Sequence, residues 1–383
     1  MARYQCDITE KVAMKRLHGL LLFAVLALLV GCGDAFTPTT PVGPIDSPTA
    51  VSRPTTTPSL LATGKFQEFA LPQDNSGMMR PAIDHEGRIW FGEMNRNFLA
   101  MFDPHTGTFM QIKPLRGAFG IMGIAVGPDD SIWYAEQYAN YIGRYFPATR
   151  QFHLYQLPTV TAPDPGNAGK TLTLPSAPND LAIDSRGDIW FTELNANALG
   201  RLDPANGLIR QYPLTTSKNA QAIDPYGITI DPSGKVWFTE ASVNHLGRLD
   251  PASGAVRYYP VSGITTALME VASDAHGMIW ATAFTSGLLV SLNPVTSVIT
   301  KYYAPSATNN TGGLYGISVS AAGEVWVAIS AIGVIARLDV SANQFVYYKI
   351  PTAGSLPLGV VVDTHHTLWF TEAGSNKIGM LQP

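Results

Sequence analysis

Five glutamates occupy one repeating place in this chain: Glu93, Glu136, Glu193, Glu240 and Glu372 each stand three residues after a tryptophan. A carboxylate can accept a proton, help to ligate a hard cation or brace a loop. An asparagine follows each of them four residues later, at Asn97, Asn140, Asn197, Asn244 and Asn376. Carboxylate and amide recurring together at a turn is the pattern of a hydrogen-bonded brace. The arginines eleven residues after tryptophan (Arg144, Arg201, Arg248 and Arg337) read the same way, as partners for a carboxylate at a neighbouring turn. The adjacent pair His365 and His366 invites a metal reading, yet neighbours on a strand point to opposite faces, and metal sites need converging ligands. Both are expected to be solvated turn residues.

The elements that must position these groups follow from the tryptophans. All seven, Trp90, Trp133, Trp190, Trp237, Trp280, Trp326 and Trp369, sit at the same place in a repeated unit, spaced 43, 57, 47, 43, 46 and 43 residues apart. The clearest copy runs from Gly234 to Pro251 (GKVWFTEASVNHLGRLDP). A fixed period in the forties with strand-type punctuation is the mark of a propeller. Each unit breaks into four short apolar or alternating runs separated by turn sequences such as Pro232-Ser233-Gly234. Four antiparallel strands per unit and seven units give an all-β, seven-bladed propeller. The last unit lacks its fourth run, and Phe66-Gln67-Glu68-Phe69-Ala70-Leu71 has the character of the missing strand. That first strand is expected to complete the last blade and close the ring. The tryptophans, flanked by Ile, Val or Leu and by Phe or Tyr, are expected to pack between blades rather than to bind ligands.

Composition narrows the function. Charged residues are 14% of 383 and the net charge is −4, with no basic stripe of the kind that phosphate backbones select, so nucleic acid is not an expected partner. The only cysteines, Cys6 and Cys32, precede the repeats, which leaves the propeller without a disulfide or a cysteine metal site.

Lys15-Arg16 is followed by an apolar run to Val30 and then Gly31-Cys32. The run is too short for an ordinary membrane span and suits a secretory signal. Leu29-Val30-Gly31-Cys32 looks like a bacterial lipobox. Residues 1–31 are therefore expected to be removed, Cys32 to carry lipid, and residues 32–64, rich in Pro, Thr and Ser, to form a disordered spacer before a propeller at 65–383. The expected location is the cell envelope, with the membrane reached only through the lipid and the protein a monomer. Translation could begin at Met1 or at Met14.

The longest step between tryptophans holds about ten to fourteen extra residues, falling within Thr159 to Pro175. A long loop on a rigid ring is a usual place for recognition. Its Gly166-Asn167-Ala168-Gly169-Lys170-Thr171 has the wrong spacing for a phosphate loop, and no helical pattern follows.

Pro225-Tyr226-Gly227-Ile228, Val236-Trp237-Phe238-Thr239-Glu240 and Leu246-Gly247-Arg248-Leu249, with their copies elsewhere, resemble the repeat of the streptogramin B lyase (virginiamycin B lyase) family from about Lys65 to Pro383. More loosely they are similar to NHL-type and lactonase propellers. The resemblance implies a seven-bladed, magnesium-dependent lyase that opens a cyclic depsipeptide at its ester by elimination. In that family a His eleven residues before Trp in each of the last two blades, a Glu two residues before the last such His, and the Glu three after the last Trp form the site. Here the eleven-before positions are Met79, Met122, Asn179, Tyr226, Met269, Tyr315 and Leu358, and the acid position is Leu356. Only Glu372 matches. Proton abstraction near neutral pH usually falls to His. The expectation is thus a propeller that binds a small molecule, cyclic peptide or protein without the family's chemistry. Its binding face would carry Asn179, Tyr226, Met269 and Tyr315, beside the loop 159–175. The alternative is a lyase or lactone-opening enzyme, with Glu372 and Glu193 or Glu240 around Mg2+.

Overall fold

The computed structural model describes residues 59–114, 120–163, 169–214, 222–264, 267–304 and 312–383. The stretch expected to be a signal sequence, Cys32 and most of the expected spacer lie outside the described residues, as do residues 164–168. Among the described residues no helix is long and apolar enough to cross a membrane.

Seven four-stranded antiparallel blades follow one another in the order of the tryptophans. Blade 4 shows the plan: Pro225–Ile230, Val236–Glu240, His245–Leu249 and Val256–Pro260 pair in sequence. The first strands of the other blades are Met78–Ile83, Ile121–Val126, Pro178–Ile183, Leu268–Ser273, Leu314–Val319 and Pro357–Val362, in blades 1, 2, 3, 5, 6 and 7. These innermost strands neighbour one another around the axis, blade 7 beside blade 1. In blade 7 the fourth strand is Lys65–Ala70, antiparallel to Lys377–Gln382 with Glu68 opposite Gly379. Ser59–Leu61, within the stretch expected to be spacer, pairs in parallel with Gln344–Lys349 and gives blade 6 a fifth strand.

The tryptophans are core. Trp90, Trp190 and Trp237 are fully buried, and each packs on the apolar residues of the following blade. In five blades the indole N–H also donates to an aspartate six residues earlier, as from Trp237 to Asp231 at 2.7 Å and from Trp90 to Asp84 at 2.7 Å. The arginine eleven residues on lies over the indole face, Arg144 at 4.7 Å from the Trp133 centroid, and Arg144, Arg201 and Arg337 pair with a turn carboxylate, as Arg144 does with Asp129 at 2.6 Å. Both ends of the ring system are thus occupied by protein groups, which fits the expected structural role.

The repeated asparagine has a backbone reason. Asn97, Asn140, Asn197, Asn244 and Asn376 all have positive φ, between 47° and 62°. The two blades without it have Gly287 and Gly333 there, also at positive φ. Asparagine and glycine are the residues that tolerate this conformation best. The amide then reaches the next blade: Asn140 Oδ1 accepts from Ser176 Oγ at 2.9 Å, and Asn376 Oδ1 accepts from the Ser76 N–H at 3.1 Å.

Every innermost strand carries one β-bulge, so that two residues oppose one on the second strand. In blade 4 the two are Tyr226 and Gly227, opposite Thr239. These bulge residues lie eleven and ten positions before tryptophan. Four threonines use the irregularity to link neighbouring blades. Thr239 Oγ1 accepts from the Gly227 N–H at 2.9 Å and donates to the Met269 carbonyl of blade 5 at 2.6 Å. Thr192 links Asp180 to Tyr226, Thr282 links Glu270 to Tyr315, and Thr371 links Gly359 to Met79. The glycine of the bulge is where the next blade presses closest: a Cβ on Gly227 would lie 2.6 Å from the Met269 carbonyl oxygen.

Candidate functional site

A bulge re-aims side chains, and here seven of them surround one axis. The residues ten before tryptophan are Arg80, Gly123, Asp180, Gly227, Glu270, Gly316 and Gly359. Four glycines leave room, and the three charged residues meet in it. Arg80 Nε donates to Glu270 Oε2 at 2.8 Å, Arg80 Nη2 lies 2.6 Å from Glu270 Oε1, and Arg80 Nε is 3.5 Å from Asp180 Oδ1. Blades 1, 3 and 5 are thereby joined across the axis. All three residues are buried.

Two of the expected binding residues join this cluster from the neighbouring position. Tyr226 and Tyr315 meet hydroxyl to hydroxyl at 2.5 Å with their rings at right angles. The Arg80 guanidinium stands 5.2 Å from the Tyr226 centroid, and Phe284 packs edge to face on Tyr315. Asn179 is fully buried and serves the backbone: its Nδ2 donates to the Tyr226 carbonyl at 3.0 Å, and its Oδ1 accepts from Gln137 at 3.3 Å. Met269 is buried on the same ring and offers its carbonyl to Thr239.

Electrostatics follow from this burial. Loss of hydration pushes the Glu270 carboxyl up to about 7; Arg80 pulls it down and Asp180 raises it further. Asp180 is also raised by burial, against the pull of Arg80 and of the Ile228 N–H. Both tyrosines are raised by burial, so neither is a candidate base near neutral pH.

The repeated glutamates lie elsewhere, one in each of five blades, at the end of the second strand. Glu193 accepts from Gln211 at 2.8 and 3.1 Å, Glu240 pairs with His245 Nδ1 at 2.9 Å, and Glu372 accepts from Ser375 Oγ at 2.6 Å. Their carboxyls are raised chiefly by burial, Glu372 to about 7 with a further push from Glu68 on the strand that completes the blade. Among the described residues, no group of three His, Cys, Asp or Glu side chains comes together as a metal site. The three positions that the resemblance pairs with Glu372 hold Tyr315, Leu356 and Leu358. The described residues therefore do not bring together an oxygen-ligand set that fits the magnesium implied by the resemblance. His365 and His366 sit in the turn before Trp369, with His366 Nδ1 3.6 Å from Glu324.

Within the long step, Thr159–Pro163 pairs with Thr171–Pro175 as a hairpin. Thr161 faces Thr173, and Val160 faces Leu174, so one side is hydroxyl-bearing and the other aliphatic.

Comparison with known proteins agrees with this architecture. The model of the virginiamycin B lyase family matches residues 171–338, from the hairpin before blade 3 to the third strand of blade 6; blade 7, with Glu372, lies beyond the matched stretch. No curated protein sequence matches the chain. Among solved structures, a streptogramin B lyase superposes with a TM-score of 0.72 at 25% identity, over 83% of this chain and 97% of that one. Virginiamycin B lyase from Staphylococcus aureus gives 0.72 at 23% identity over 84% of this chain and 100% of that one. A catalytically inactive form of the same enzyme, solved with quinupristin, gives 0.71 at 23% identity with the same coverage. The chain is thus a seven-bladed propeller similar to streptogramin B lyase, with the virginiamycin B lyase family signature in its central blades.

Proposed function

We propose that this protein binds a ligand at the rim where the seven bulges meet, and that it does so as an envelope lipoprotein anchored through Cys32. The observation that carries the reading is the chemistry of that rim. Where the resemblance calls for two imidazoles and an acid, the chain has Tyr315, Leu358 and Leu356, while Tyr226, Tyr315 and Arg80 bring aromatic faces and hydrogen-bond donors to the axis. Aromatic surface with a few convergent polar groups suits recognition of a small molecule or of a cyclic peptide.

Isothermal titration of the purified protein against a panel of cyclic peptides and lactones tests the placement. Tyr226→Ala and Tyr315→Ala are each expected to weaken binding at least tenfold, the cost of about 1.4 kcal/mol. Binding unchanged in both variants would overturn the site. Palmitate labelling tests the anchor: label is expected on the wild type and absent from Cys32→Ser.

A second reading rests on Glu372 at the family's position and on the likeness to streptogramin B lyase. It assigns the chain ring opening of a cyclic ester. Incubation with virginiamycin B and magnesium separates the two: intact substrate is expected, and a linear product lost in Glu372→Gln would establish the lyase instead.

A further inference from the structure

The axial cluster sets one guanidinium against two carboxylates. Arg80 comes from blade 1, Asp180 from blade 3 and Glu270 from blade 5, and among the described residues the other elements packed on them contribute neutral groups: the hydroxyls of Tyr226 and Tyr315, the Ile228 N–H on Asp180 Oδ2 at 3.1 Å, and the Thr282 hydroxyl on the Glu270 N–H. Glu270 has Arg80 as its side-chain partner, and Arg80 is shared between the two acids. With both acids ionised, one negative charge is left in a site shielded from water and without a cation of its own, which is the unfavourable case for buried ions. One proton shared by Asp180 and Glu270 makes the cluster neutral.

We propose that Arg80, Asp180 and Glu270 form a proton-dependent plug on the propeller axis, holding the inner strands of blades 1, 3 and 5 together when one proton is bound and releasing them when it leaves to solvent. The plug regulates the rim proposed above as the ligand site, and it rests on that reading only for its functional meaning. Tyr226, which lies under the guanidinium and is tied to Tyr315, shares the fate of the cluster. A ligand that must part the two hydroxyls therefore binds more readily once the plug has loosened. Burial raises both carboxyls, Glu270 to about 7. A group raised in the folded state gives its full stabilisation below its ordinary range, and that contribution is lost as pH rises through the folded value. The plug is closed in mildly acid solution and opens above neutrality.

Hydrogen exchange of the ligand-free protein, read by mass spectrometry and corrected for the intrinsic effect of pH, tests this. Protection of 78–83, 178–183 and 268–273 is expected to fall about tenfold between pH 6 and pH 8.5, the change expected of one pK unit. The outer strand 208–213 is expected to keep its protection. Glu270→Gln fixes a neutral cluster and is expected to hold the inner strands protected across the range, with Asp180→Asn as the second variant should the first fail to fold. Wild-type protection that does not change with pH, or a fall that persists unchanged in Glu270→Gln, would overturn the plug. No ligand is present, so this result and the titrations with Tyr226→Ala and Tyr315→Ala fail or succeed separately.

Discussion

Glu136 shows what a single position tells about the repeated carboxylates. It is fully buried, and among the described residues the Asn97 side chain of the preceding blade is the one group that favours its charged form. In blades 1 and 3 the fourth strand offers Gln111 and Gln211 to the equivalent acid; in blade 2 that place is Leu154. Burial accordingly raises the Glu136 carboxyl to about 7. Its stabilising contribution is present below the ordinary carboxylate range and is lost as pH rises through about 7. Glu136→Gln is expected to raise stability by about 1 kcal/mol at pH 8.5, where the wild type buries a charge, and to change little at pH 5; urea denaturation at the two pH values measures both. Glu193→Gln, which sets one amide against another, is expected to destabilise at both. The sequence pairs each carboxylate with the asparagine of its turn, but Glu193 takes Gln211 and Glu240 takes His245, and the amides of Asn140 and Asn376 reach the next blade; Glu372, through Ser375, holds its own turn. The charges at Arg80, Asp180 and Glu270 escaped a reading that followed positions eleven before tryptophan. The signal stood one residue further on, where four glycines and three charged residues share a column.

Among the elements, the bulged first strand carries the inter-blade chemistry. Its register irregularity was not legible, since nothing in Pro225-Tyr226-Gly227-Ile228 marks an extra residue against Thr239. The threonine itself was visible in the repeated Trp-Phe-Thr-Glu, but its acceptor belongs to the next blade, and sequence order hides contacts made around a ring. Thr239→Val keeps the shape and removes the hydroxyl, leaving the Gly227 N–H and the Met269 carbonyl unpaired in a dry site. A loss of about 1–3 kcal/mol is expected. Thermal unfolding of Thr239→Val beside Thr229→Val, on the same blade at a more exposed place, measures it; equal effects would show that the hydroxyl link is not what matters.

At the scale of the whole molecule, period and tryptophan spacing were enough to give seven blades, because a propeller is set by what repeats. Which residues fill the axis was not, because those positions are where the blades differ. Ring completion rests on Lys65–Ala70, whose Phe66 and Phe69 pack into the cores beside Phe370 and Trp369. Removing residues up to Ala70 is expected to lower the melting temperature by more than 10 °C and to expose blade 7 to protease first, whereas cleavage before Ser59 should leave both unchanged. Calorimetry and limited proteolysis of the two truncated forms check this. The three residues Ser59–Leu61 add something further. The amino-terminal segment grips blade 6 before it enters blade 7, so a pull on that end must first peel a three-residue clasp from one sheet before it strains the strand seated in the next. Mechanical load arriving there is absorbed in two stages, and the sacrificial clasp gives way while the ring remains whole.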